Sequence, residues 1–162
     1  MVKAQLLGKL MSEHAYLIIR CLLAVVFFYA GATKIMNTEG FATVISGYGL
    51  LPDSLVSLSA IVLPVAEILI ATALVWDLKG SLFLYSVLLL VFMGVLVHGI
   101  NMGLDVDCGC FAPGDAEGEA YHSLREALFR DLFLFSGCVY LYWLRGAKDY
   151  RPRSIFAFIS KK

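Results

Sequence analysis

The chain has 162 residues, 60% of them hydrophobic, with 13 basic against 13 acidic side chains and a mean hydropathy of +0.80. That composition excludes an ordinary water-soluble domain and points to the bilayer. Zero net charge with no basic face excludes nucleic-acid binding, since nothing is present to displace counterions from phosphates.

Taken in order, residues 1–14, with Lys3 and Lys9, read as a short interfacial helix or a frayed tail. Four apolar runs then approach the roughly 20 residues a spanning helix needs. They cover about 15–33, 55–76, 81–101 and 124–144. The first is too long, and lacks the small-residue cleavage site, for a removable signal peptide, so it is expected to remain as an anchor. Between the first two runs, Phe41, Val44, Ile45, Tyr48 and Leu51 recur at three- and four-residue spacing. This predicts a short amphipathic helix on the membrane surface, ended by Gly47, Gly49 and Pro52. Asp77 to Gly80 is a tight connection and predicts an antiparallel hairpin of the second and third spans. Pro64, inside the second span, predicts a kink. The fold class expected is therefore all-α: a four-transmembrane-helix bundle over residues 15–144, followed by a basic tail over 145–162.

Orientation follows from the basic residues. Lys3, Lys9, Lys79, Arg145, Lys148, Arg151, Arg153, Lys161 and Lys162 fall on one side, while Asp105, Asp107, Asp115, Glu117 and Glu119 gather on the other. The positive-inside rule puts both termini in the cytoplasm and the third connection outside an inner (plasma) membrane. The last segment, around Phe156 and Phe158, is expected to rest on the inner leaflet.

That third connection carries Asp107-Cys108-Gly109-Cys110-Phe111. Glycine between two thiols lets the backbone fold back until the sulfurs approach. A disulfide across one residue would close a small strained ring, easier to reduce than a relaxed one. The pair is read as redox-active, against a structural clip or a chance pair of thiols. A nearby cation such as Lys34 or Arg130 would favour thiolate, whereas Asp107 would disfavour it at Cys108, so Cys110 is the expected nucleophile. Thiolates also select soft metals such as Cu(I), but two thiolates make no full tetrahedral site, and no metal ligand set is assigned.

Charged groups inside spans are functional candidates by default. Arg20 and Glu67 lie roughly 8 and 14 Å from the cytoplasmic ends of their spans, counted at 1.5 Å per residue, and are expected to pair as a helix lock or a proton relay. Lys34, His98, Arg130 and Asp131 are expected to form an intramembrane polar cluster toward the cysteine loop. Arg130 and Asp131, adjacent on one helix, should contact different neighbours. Cys21 and Cys138 read as small packing residues rather than a second dithiol. The aromatics, from Phe27 to Trp143, serve either as a quinone slot or as lipid-facing and belt residues.

Arg20, Ala30-Gly31-Ala32-Thr33-Lys34-Ile35, Phe41 through Leu51-Pro52 and Leu63-Pro64-Val65-Ala66-Glu67 resemble the DoxX-like superfamily. Cys108-Gly109-Cys110-Phe111 followed by Arg130-Asp131 is similar to its MauE branch, the methylamine-utilisation membrane proteins. The chain departs from the branch at Ala112, where members often carry glycine. The resemblance covers roughly residues 15 to 144. It implies a four-helix bundle and a role in thiol or disulfide metabolism outside the inner membrane. The leading expectation is a thiol–disulfide redox protein that exchanges with an extracytoplasmic thioredoxin-like or disulfide-containing protein, with a membrane quinone near Arg130, Asp131 and His98 as a candidate electron carrier. A non-catalytic subunit or assembly factor of a larger membrane complex, and a soft-metal-handling protein, stand as alternatives.

Overall fold

The computed structural model describes residues 2–103 and 124–148, with side chains from Glu13 to Gly103 and from Leu124 to Ala147. Five helices occupy them: α1 (Val2–Met36), α2 (Thr38–Gly47), α3 (Asp53–Val75), α4 (Ser81–Asn101) and α5 (Leu124–Lys148). Four carry windows apolar and long enough to cross a membrane, at Glu13–Met36, Asp53–Val75, Ser81–Asn101 and Leu124–Ala147. The four-span all-α reading therefore holds. Residues 2–12 continue α1 without a break as helix.

The connections follow local chemistry. Asn37 caps α2 by accepting the Gly40 N–H on its side-chain oxygen at 3.0 Å, satisfying a donor that the first turn of a helix leaves unpaired. Beyond α3, Asp77 N–H donates to the Leu74 carbonyl and Leu78 N–H to the Ala73 carbonyl, both at 3.0 Å. Those two reverse bonds form a Schellman ending, which needs a left-handed residue just past the helix. Asp77 fills that place with φ 55°, where glycine is the usual occupant. Gly80, at φ 94°, turns the chain into α4, and the predicted α3–α4 hairpin results.

Packing is tightest where α1 crosses α3. A Cβ on Gly31 would stand 2.9 Å from the Pro64 carbonyl oxygen and 3.2 Å from Glu67 Cβ, so glycine is what lets the two backbones meet. Ala60 and Ala71 on α3 and Ala24 on α1 are likewise buried. The main core combines Ala24 and Ala71 with Leu23, Phe27, Leu74, Leu82, Tyr85, Leu89 and Leu141. Tyr85 is fully buried and donates its hydroxyl proton to the Leu23 carbonyl at 3.2 Å, so its polar tip is matched.

Large apolar residues also cover the outside. Phe28, Tyr29, Phe83, Phe133, Tyr142 and Trp143 are exposed on outer helix faces. In water such a surface would aggregate, whereas in lipid tails it is solvated. These six rings are placed to meet lipid. Phe27 and Tyr85 instead face the core, with ring centroids 3.9 Å apart.

Candidate functional site: two ionic clusters

Lys34 comes from the last turn of α1, Glu67 from the middle of α3, and Arg130 and Asp131 from the second turn of α5. All four line one small cavity of about 20 Å³, together with Phe27, Leu89 and Phe92. Space of that size accommodates about one water molecule. Lys34 donates to Glu67 Oε1 as an ion pair, with 3% of Lys34 and none of Glu67 exposed. Glu67 Oε2 is buried with no hydrogen-bond partner among the described residues. Arg130 donates through Nη2 and Nε to Asp131 Oδ1 at 3.1 and 3.2 Å. Among the described residues that line the cavity, two cations stand against two anions, so their formal charges balance. Neutrality is what makes so many charges tolerable out of water.

Three of the four residues expected in this cluster are brought together, and Glu67 joins them. His98 does not line the cavity. It is half-buried in the last turn of α4, where its backbone carbonyl accepts the Met102 N–H at 3.0 Å. The α4 residue that meets Lys34 is Phe92, whose ring centroid is 4.8 Å from Nζ. Six residues separate Phe92 from His98, roughly 9 Å along the axis and about 240° around it, which turns the imidazole away.

Two expected pairings are corrected. Arg20 does not pair with Glu67: Arg20 Nη1 meets Asp77 Oδ2 at 2.9 Å, and Nη2 donates to the Val75 carbonyl at 3.2 Å. The count from span ends assumed helices that end level. The Gly31–Pro64 crossing sets a different register, and Glu67 lies roughly 15 Å along α3 from Asp77. Arg130 and Asp131, expected to seek different neighbours, bond each other. The arginine stem is long enough to curl back, and the buried carboxylate (3% exposed) demands a cation close by.

The second cluster was not foreseen. Asp77 is the hub: besides Arg20 it takes Arg145 Nη2 on Oδ1 at 2.6 Å and the Tyr16 hydroxyl on the same oxygen at 2.9 Å. Arg145 Nε in turn donates to the Tyr16 hydroxyl at 3.0 Å. One carboxylate thereby ties α1, the α3–α4 turn and α5 together at the end opposite Lys34. The one sequence signal for this was an acid in a four-residue turn between two spans, with Arg20 near the start of the first span and Arg145 near the end of the last.

Among the described cysteines, Cys21 and Cys138 are free thiols, Cys138 being buried in the main core. Cys108 and Cys110 lie outside the described residues. The helix ends that flank their connection are described. Leu124, at the start of α5, packs with Leu96 of α4 and with Tyr48. Gly99 makes room for the Tyr48 ring, which a Cβ there would approach to 2.7 Å.

With this geometry in place, comparison with known proteins is informative. The family model described as methylamine utilisation protein MauE matches residues 12–144. The curated methylamine utilization protein MauE of Paracoccus denitrificans is 34% identical over 99 residues, covering 59% of this chain and 53% of that protein. The chain thus spans about half the length of the curated relative it matches. No solved structure matches. The matched segment takes in the first three spans, the fourth as far as Leu144, and every member of both ionic clusters except Arg145, and on that extent the chain belongs to the MauE family.

Proposed function

We propose that this multi-pass membrane protein serves methylamine utilisation as a thiol–disulfide exchange protein, working through Cys108 and Cys110. The observation that carries the reading is the Cys-Gly-Cys stretch in the connection between the third and fourth spans. The family membership supports the pathway. The distribution of Lys3, Lys9, Lys79 and Arg145 against the acids of the third connection supports an inner-membrane location with the cysteines outside. An oxidising compartment there would let a disulfide persist.

In the reaction, the Cys110 thiolate attacks one sulfur of a partner's disulfide, and the partner's other sulfur leaves as a thiolate. Cys108 then attacks the mixed disulfide at Cys110. The partner departs as a dithiol, and the Cys108–Cys110 disulfide remains. Two electrons have passed to the partner, and the reverse sequence returns them. The partner is an extracytoplasmic thioredoxin-like or disulfide-containing protein.

Thiol trapping of the membrane-embedded chain in graded glutathione buffers tests this. The exchange reading expects Cys108 and Cys110 to titrate between dithiol and disulfide within the range glutathione buffers span, and Cys108→Ser/Cys110→Ser cells to lose growth on methylamine. A pair that stays oxidised throughout is a structural clip, and a variant that grows normally removes the function.

A further inference from the structure

The short helix α2 covers a second, larger cavity. Its volume is about 320 Å³, walled by Phe41, Val44 and Ile45 of α2, Ser59 and Leu63 of α3, and Val91, Phe92, Val95 and Leu96 of α4. That volume lies within the range of about 300–1,000 Å³ of small-molecule sites. Among the described residues its lining is almost wholly apolar, with Lys34 as the single charged group. Phe41 and Phe92 bracket the ammonium, with ring centroids 5.3 and 4.8 Å from Nζ. Phe41, Tyr48 and Leu96 form a buried floor, whereas Leu50, Leu51 and Val91 are exposed at the rim.

We infer that this cavity is a binding site for a lipophilic quinone, its ring held between Phe41 and Phe92 with one carbonyl accepting a hydrogen bond from Lys34. Three features select that chemistry. First, an ammonium has three N–H donors and no acceptor. Among the described residues Lys34 spends one donor, on Glu67, so a ligand head must accept. Second, Glu67 already neutralises Lys34, and the Arg130–Asp131 pair beside them is neutral too. An anionic head, such as a fatty acid carboxylate, would add an unmatched buried charge, whereas a neutral carbonyl adds none. Third, two aromatic faces flanking the donor suit a planar ring, and the exposed rim lets an isoprenoid tail run out into lipid. Polar end, flat middle and apolar exit are thus set in the order a quinone presents them. The site differs from the one expected from sequence near Arg130, Asp131 and His98. Lys34 joins it to that cluster, but its walls belong to α2, α3 and α4.

The inference goes beyond the exchange reading and does not depend on the cysteines. Its test is photolabelling of the full chain in nanodiscs with an azido-substituted decylquinone, followed by peptide mapping, in wild type and in Cys108→Ser/Cys110→Ser. Label is expected on the segments holding Phe41 and Phe92 in both proteins. Excess decylubiquinone should suppress it about tenfold or more, while dodecylbenzene and lauric acid leave it unchanged. Val95→Trp, which fills the cavity and spares Lys34 and Glu67, should lower labelling by about the same factor, with Leu63→Trp as a second filling from the opposite wall. Label scattered over the outer helix faces would overturn the inference. So would suppression by dodecylbenzene equal to that by decylubiquinone, which marks a groove filled by any acyl chain, or suppression by lauric acid, which marks an anion site. Thiol trapping reports on the cysteines alone, so the failure of one reading is not mistaken for failure of the other.

Discussion

The Lys34–Glu67 pair offers a demanding test of how the bundle is held. Both groups are essentially out of contact with solvent, and one Glu67 oxygen has no partner among the described residues. Lys34→Met keeps the length and apolar stem of the side chain and removes its charge. It leaves Glu67 as an uncompensated buried carboxylate, and removing one member of a buried pair costs about 3–5 kcal/mol. Glu67→Leu alone strands the ammonium at a similar cost. The double variant Lys34→Met/Glu67→Leu removes both charges while Arg130–Asp131 stays internally neutral, and it should return to within about 1 kcal/mol of wild type or exceed it. SDS-induced unfolding in mixed micelles, followed by circular dichroism, measures all four proteins and gives the coupling energy directly. Single variants that each lose less than about 1 kcal/mol would refute the reasoning, as would a double variant whose loss equals the sum of the singles.

Further predictions concern the other contacts. At Asp77 the backbone and the side chain make separate contributions: Asp77→Gly loses the ion pairs but suits φ 55°, whereas Asp77→Ala loses both and should be less stable by about a further 1 kcal/mol in the same unfolding assay. The corrected register predicts that Arg20→Asp/Asp77→Arg recovers part of the stability lost by Arg20→Asp alone, while Arg20→Glu/Glu67→Arg recovers none. Gly31→Val should cost about 1–3 kcal/mol by pushing α1 off the Pro64 carbonyl, and thermal unfolding in detergent would register the loss.

Much of this architecture can be read from residue order, because membrane insertion is governed by local quantities. Whether a run of about twenty residues is apolar decides whether it spans, and neighbours elsewhere in the chain hardly enter. Leu55 to Trp76, the turn at Asp77 to Gly80 and the three- and four-residue spacing from Phe41 to Tyr48 were legible on those terms. The same logic singled out Arg20, Lys34, Glu67, Arg130 and Asp131, since a charge placed among apolar neighbours stands out in any alphabet.

Which charge meets which was decided only by the assembled bundle. Partner choice depends on how far one helix slides along another and how it is rolled, and no single span encodes either quantity. A side chain without Cβ at Gly31 lets α1 settle on the Pro64 carbonyl. That one contact places Arg20 at the Asp77 turn and brings Lys34 within reach of Glu67. Arg145 and Tyr16 entered the second cluster for the same reason, distant in sequence yet carried to one end by antiparallel packing. The chain alone specified the helices and the charges they carry; close packing between backbones determined their offsets, and with them the Lys34–Glu67 pair and the ion pairs at Asp77.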